Sequence, residues 1–438
     1  MVRRIGWLTA LASTFMLAGL TGCGSDLKLP GGAGGGGGGG GAGGRVYVGQ
    51  ETCRSCHGDV STHWDATRHA KALAALQTIK QDKPACLPCH TVGYGEASGF
   101  KTAAETPKLG NVQCENCHGA GSEHAAKPSA ANITRNVPAA TCGSCHTDAH
   151  HPTYDEYEES KHAKSISDLG TLSPSRDKCI ACHSTEGFFY QLAAPTATRT
   201  SRQAPSRAKA ELPITCWTCH DPHKKTDHGR QLRLGKRALC ETCHRLSTAS
   251  PLDAVPITST PRHGQSLVYE GTGGLKPNGT VAGLKLTGPN SAHTAAAADG
   301  CATCHVYGEK VTSPNQGNPN NTGHSFEANY RSCTQAGCHP KTTRALTDGA
   351  DPAVMAKRDA AKAQVQAGLA ACKPYLTAGD PLYVDPTKLS VPDFNNYNVA
   401  KWDYTMVLNM DPSLGVHNLK YSLALLSTAK AVLEALPR

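Results

Sequence analysis

The stretch Cys53-Arg54-Ser55-Cys56-His57 decides how the rest of the sequence is read. Two thiols three positions apart, followed at once by an imidazole, form the attachment signature of a c-type haem. The thiols add to the two vinyl groups of the porphyrin, and the next residue lies under the iron as its proximal ligand. The pattern recurs with first cysteines at Cys86, Cys114, Cys142, Cys179, Cys216, Cys240 and Cys301. The second cysteines are Cys56, Cys89, Cys117, Cys145, Cys182, Cys219, Cys243 and Cys304. The histidines are His57, His90, His118, His146, His183, His220, His244 and His305. A ninth copy is stretched, Cys333-Thr-Gln-Ala-Gly-Cys338-His339. Nine copies use 18 of the 20 cysteines and leave Cys23 and Cys372, so the cofactor expectation is nine covalently bound haem c groups.

Structural zinc would need pairs of such thiols, or a pair with two histidines at finger spacing. It does not require an imidazole directly after every second cysteine. The same regularity speaks against a disulfide scaffold. Composition agrees: 438 residues are 39% hydrophobic and only 5% aromatic, with 45 glycines and 27 prolines. A chain this long needs more apolar surface than its side chains supply, and porphyrins would provide it. A polytopic membrane protein and a coiled coil are excluded on the same composition. The bare sequence carries +9. Loss of Arg3 and Arg4 leaves +7, and nine ferric haems with eighteen propionates bring the oxidised total to about −2. The basic sequence is therefore no argument for nucleic-acid binding.

The N-terminus reads as an address. Arg3 and Arg4 precede an apolar run from Ile5 to Leu20, and Leu20-Thr21-Gly22-Cys23 matches a bacterial lipobox. Such a segment is removed and takes no part in the fold. Cys23 would become the acylated first residue, holding the chain on a membrane through its lipid, and Gly24 favours the outer membrane, with the chain on its periplasmic or surface side. Gly31 to Gly44 is glycine apart from Ala33 and Ala42, a flexible tether. The expected organisation is a signal peptide at 1–22 and a lipid-anchored tether at 23–44. A haem domain with an internal repeat spans 45–250, an irregular haem region 251–345, and a haem-free helical tail 346–438. The fold class is mainly α and irregular, with short helices and loops wrapped around closely packed haems.

Twelve histidines remain for the far side of the irons. Methionine is the other common axial ligand, but Met355, Met406 and Met410 all lie beyond the last motif. A repeat helps to sort the histidines. Trp64-Asp-Ala-Thr-Arg-His69-Ala-Lys71 aligns with Tyr157-Glu-Glu-Ser-Lys-His162-Ala-Lys164, and each histidine stands 17 residues before the next haem cysteine. His69 and His162 are expected as distal ligands. His124 follows a glycine-rich turn after His118, and His223 lies in Cys219-His220-Asp-Pro-His223. His263, His293 and His324 stand alone in Gly/Pro-rich loops, and His417 opens the last helix. One of His150 and His151 completes the set. His63 and His228 are expected in solvent or behind other ligands.

Asp351-Pro352 is a helix start. Val365, Leu369, Cys372 and Leu376 then form an apolar stripe, with Cys372 a buried thiol, and Lys373-Pro374 is expected to end or kink the helix. A last helix is expected over 416–436, with Leu419, Leu423, Leu426 and Leu433 on one face. The segment from Pro251 to Asn321 is expected to be irregular with a brief hairpin.

Tyr47-Val-Gly-Gln-Glu-Thr-Cys53 through His69, and Gln113-Cys-Glu-Asn-Cys-His-Gly-Ala-Gly-Ser-Glu-His124, resemble the tetrahaem cytochromes that accept electrons from hydroxylamine oxidoreductase. The tail Ser413-Leu-Gly-Val-His417-Asn-Leu-Lys-Tyr421 resembles that of larger multihaem cytochromes related to ammonia-forming nitrite reductases, and the lipobox suggests outer-membrane lipoproteins of this class. The resemblance implies bis-histidine haems stacked in pairs as a conducting chain. The expected function is electron transport at the cell envelope, in anaerobic or extracellular respiration, with envelope redox proteins or a porin–cytochrome complex as partners. The alternative is a reductase of nitrite, hydroxylamine or a sulfur oxyanion with one open iron, sought first at His263, His293 or His324. No Cys-x-x-Cys-Lys motif marks such a haem.

Overall fold

The computed structural model of the protein describes residues 44–76, 81–148, 151–170, 177–193, 210–245, 263–277, 284–286, 288, 290–309, 321–335, 338–339 and 351–438. The signal segment, Cys23, almost all of the glycine tether and His150 lie outside them. Among the described residues, no helix is long and apolar enough to cross a membrane.

Among the described residues up to His339, the chain is a succession of short helices and irregular connections with one short strand pair. The helices include Gln50–Arg54, Gly58–Asp65, Cys114–His118, Thr153–Glu159 and Thr185–Ala193. Each haem motif forms a tight turn. The histidine N–H donates to the first cysteine's carbonyl at 2.9–3.0 Å in the copies ending at His57, His146, His220, His244 and His305. The stretched copy closes in the same way, His339 N–H donating to the Cys333 carbonyl at 2.9 Å despite its two extra residues. Local capping starts some of these turns. Gln113 with Asn116, and Thr215 with Thr218, form reciprocal boxes around the first helical turn, satisfying N–H groups that a helix start leaves unpaired. The buried Glu115 carboxylate accepts from the backbone N–H groups of Val48, Gly49 and Gly121, tying the entry segment to the third motif.

The repeat seen in the sequence is a repeat in space. Trp64 and Tyr157 are both buried. Thr67 Oγ1 accepts from Ala70 N, and Ser160 Oγ accepts from Ala163 N. His90 Nδ1 bonds the Ala72 carbonyl at 2.6 Å, and His183 Nδ1 bonds the Ser165 carbonyl at 3.1 Å. Every equivalent position is displaced by 93 residues.

The tail is a conventional hydrophobic unit. The first long helix, Pro352–Leu376, starts where Asp351 accepts from Ala353 N, and Val365 and Cys372 on its stripe are fully buried. The Cys372 thiol donates to the Leu426 carbonyl, so its role is packing. Pro374 falls in the final turn. The last helix runs Leu419–Ala435, capped by Asn418, whose side chain accepts from Tyr421 N. His417 therefore stands just before the helix. Between them lies a helix absent from the expectations, Val391–Thr405, continued by a π-helical turn, Met406–Met410. Its start signal is Ser390 before Val391-Pro392-Asp393, with Ser390 Oγ accepting from Asp393 N. The expected hairpin pairs Gly274–Lys276 with Leu284–Leu286. It packs on the tail: Trp402 Nε1 donates to the Gly273 carbonyl, and Asp403 Oδ1 accepts from Leu275 N. Val268 and Leu275 join the same core as Trp402, Tyr421 and Leu425. Each fully buried leucine or valine there contributes about 1.5–3 kcal/mol.

Candidate functional site: a file of facing histidines

A single cavity of about 4340 Å³ runs through the motif-bearing part. Divided over nine motifs it gives roughly 480 Å³ each, within the ~300–1,000 Å³ of one small-molecule pocket. All nine motif histidines line it, and so do His69, His124, His151, His162, His223, His263, His293, His324 and His417. His63 and His228 are exposed and do not line it.

Across the cavity the imidazoles meet in twos. His57 faces His124 at 6.3 Å between ring centroids, His118 faces His223 at 6.1 Å, and His146 faces His69 at 6.1 Å. His183 faces His263 at 5.8 Å, His220 faces His324 at 6.3 Å, and His244 faces His162 at 6.1 Å. His305 faces His417 at 6.2 Å, and His339 faces His293 at 6.3 Å. Each pair joins one motif histidine to one of the others. The spacing barely varies, while the angle between ring planes runs from 10° to 73°. Ring–ring attraction would favour particular angles. A fixed distance with free rotation is what two nitrogens on one ion give: bonds of about 2 Å each set the centroids about 6 Å apart.

His151 also lies 6.4 Å from His146, which already faces His69. The His69–His146 planes meet at 60° and the His162–His244 planes at 66°, so the two repeat histidines make equivalent pairs. His90 is different. Among the described residues no imidazole faces it. His263, His293 and His324 are all paired, but His293 is not in a loop: it lies in the short helix Ala292–Ala296, capped by Ser291.

Burial tunes several of these rings. It pushes His146 and His162 down to about 4 and also lowers His69, so they stay neutral, the form that binds a metal. Backbone strain gathers here too. His263 itself has φ 55°, Phe326 58°, Arg230 48° and Leu414 53°. Arg230 and Phe326 present their carbonyls to His220 and His305, and Leu414 lies in the turn before His417. Left-handed non-glycine residues cost energy and cluster where geometry is imposed by function. Gly119, at φ 80°, ends the third motif's helix and lets the chain turn towards His124.

Two residues that the sequence reading passed over complete the picture. Phe326 packs on His162 at 4.3 Å and on His324 at 5.8 Å. Glu156 accepts from the backbone N–H of Thr322 and of His324, fixing the His324 loop. Nothing in the local pattern marks either, because the contacts of Phe326 with His162 and of Glu156 with the His324 loop are distant in sequence.

The motifs also touch one another. Cys53 contacts Cys114, Cys89 contacts Cys145, Cys142 contacts Cys216, and Cys240 contacts Cys301. Cys117 lies near Cys142, Cys219 near Cys240, and Cys304 near Cys333. His162, paired with His244, also lies near His183. The spatial order of motifs is first, third, fourth, sixth, seventh, eighth, ninth, with the second beside the fourth and the fifth beside the seventh.

The residues present fit haem better than a bare ion. Among the described residues no group of three or more His, Cys, Asp or Glu side chains could hold a metal by itself. Two axial imidazoles leave four equatorial positions for a porphyrin. The buried hydroxyls of Tyr157, Thr226, Ser266 and Tyr269 line the cavity without a protein partner, as propionate-binding groups would. Residues 52–119 match the family Cytochrome c554 and c-prime. The undecaheme cytochrome from the S-layer of Carboxydothermus ferrireducens is similar over 90% of this chain and 70% of its own, with TM-score 0.61 and 21% identity.

The fold is that of a multihaem c-type cytochrome.

Outer Cell Wall Cytochrome OcwA has the same fold, with TM-score 0.63 and 18% identity over 88% of this chain and 99% of its own. No curated protein sequence matches the chain. In a multihaem cytochrome of this fold, the cysteine turns and facing imidazoles are the parts that would grip each porphyrin from edge and faces.

Proposed function

We propose that the chain carries electrons along nine covalently bound haems at the cell envelope. The observation that supports this most is the eight facing histidine pairs in one cavity, with neighbouring motifs in contact. Haem iron, when bound, supplies reversible one-electron chemistry. The protein's part is to fix ligands and spacing. The motif turns hold each porphyrin edge, the paired imidazoles hold eight irons from both sides, and backbone carbonyls orient the rings. Bis-imidazole ligation would leave those eight irons no place for substrate, and imidazole lacks the potential-raising thioether of methionine.

Intact mass of the holoprotein should show nine haems, and reductive titration should take up nine electrons per chain. Fewer than nine on both measurements would reject this count. The relatives come from an S-layer and an outer cell wall, and the lipobox at Cys23 suits an envelope site for this chain. Attachment through Cys23 predicts that Cys23→Ala releases the protein from membranes. Envelope redox proteins or a porin–cytochrome complex would serve as donor or acceptor.

One observation favours a second reading. Among the described residues no imidazole faces His90, so its iron is where nitrite or hydroxylamine would bind and be reduced. Turnover of either by the purified holoprotein would move the assignment from carrier to reductase.

A further inference from the structure

Seven of the proposed ligands hydrogen-bond backbone carbonyls through Nδ1: His90, His118, His124, His183, His220, His305 and His324. His417 does not follow this rule. Its Nδ1 lies 2.9 Å from Asp411 Oδ1, and Asp411 is completely buried. The carboxylate also accepts from Ser413 N at 3.2 Å, Gly415 N at 3.2 Å, Ser422 Oγ at 3.5 Å and Ser413 Oγ. Five donors converge on it. A protonated acid would need an acceptor in place of one of them, so the cluster is built for the anion.

A comparison within the molecule isolates the feature. His223 has Asp221 near it, but at 3.8 Å, and Asp221 is shared with Arg233 at 3.0 Å and Lys224 at 4.0 Å. Its charge is largely compensated. Among the described residues no lysine or arginine pairs with Asp411. Leu414, at φ 53°, and Gly415, at φ 91°, bend the chain so that Asp411 and His417 meet across six residues.

We propose that Asp411 is a positioning residue that lowers the reduction potential of the iron held between His305 and His417. A carboxylate accepting from the far nitrogen of a ligating imidazole fixes the ring and raises its basicity. A more basic ligand stabilises ferric over ferrous iron, and the buried negative charge acts in the same direction. The eighth haem then forms a low-potential step between the seventh and the ninth, so electrons arriving from either side must climb onto it. This inference rests on the proposed haem chain.

The test is spectropotentiometric titration of full-length holoprotein, wild type against Asp411→Asn and Ser413→Ala. Asn keeps an oxygen that can accept from Nδ1 but removes the charge. One haem should become about tenfold easier to reduce relative to the others, about 59 mV for one electron. Ser413→Ala removes a competing donor from Oδ1 and should move the same haem the opposite way. Intact mass separates the two levels. A wild-type protein lacking haem at Cys301 and Cys304 defeats the haem chain itself. A fully loaded protein in which neither variant moves any step, or both move it in one direction, defeats the role of Asp411. If Asp411→Asn does not accumulate as holoprotein, the sign of the Ser413→Ala shift decides alone.

Discussion

The two copies of the repeat are built alike and end differently. In one, Trp64 to His90, the histidine His69 faces His146. In the other, Tyr157 to His183, the histidine His162 faces His244. Both hold the motif histidine by a carbonyl three residues beyond the repeat histidine. Yet His183 meets His263 at 5.8 Å, while His90 meets no imidazole among the described residues. Duplication thus explains the scaffold of each unit but not its ligand set. The repeat histidine serves a later motif, and its own motif depends on whatever a distant loop delivers. His263 reaches His183 only through a left-handed backbone, a cost accepted to close that iron.

The largest effect on this comparison comes from removing both repeat histidines. His69→Ala with His162→Ala should open two further irons, seen as two new high-spin haems and two added equivalents of bound carbon monoxide. If the high-spin content is unchanged, the repeat histidines are not ligands. A smaller change makes one copy imitate the other. His263→Ala should open the His183 iron alone and add one carbon monoxide equivalent; no added binding would mean that His263 is a bystander.

The smallest effect concerns stability. Ser165 stands where the first copy has Ala72, and its buried Oγ accepts from Ile214 N at 3.0 Å and donates to the His183 carbonyl at 3.0 Å. Ser165→Ala should cost about 1–3 kcal/mol, because a buried N–H loses its acceptor. Thermal or chemical unfolding would register it, while the haem spectrum stays as it was. An unchanged midpoint would mean that water or a rearranged backbone takes the place of the hydroxyl.

Much of this was legible in the chain. The nine motifs stand in plain sequence because covalent attachment demands fixed spacing. The helix at Pro352 and the leucine face of the last helix follow from capping and periodicity. What sequence could not show is pairing across distance. His124 faces a histidine 67 residues earlier, and His417 one 112 residues earlier. Lone histidines such as His293 carry no local sign of which motif they meet. Glu156 and Phe326 escaped notice for the same reason, acting on His324 and His162 from far along the chain, whereas Asp411 stands only six residues before His417 and was passed over because a left-handed turn, not a helix, brings them together. The Val391–Thr405 helix was missed because its buried face mixes Asn395, Asn398 and Asp403 with apolar residues, which blurs the periodic signal.

The most direct measurement is a count of spin states in the oxidised full-length holoprotein, by electron paramagnetic resonance and resonance Raman, with carbon monoxide titration of the reduced form. The eight facing pairs predict eight six-coordinate low-spin haems, and with no imidazole facing His90 among the described residues the single haem that binds carbon monoxide should be the one attached at Cys86 and Cys89. More than one high-spin haem in the unmodified protein, or more than one equivalent of bound carbon monoxide, would contradict the pairing on which the account rests.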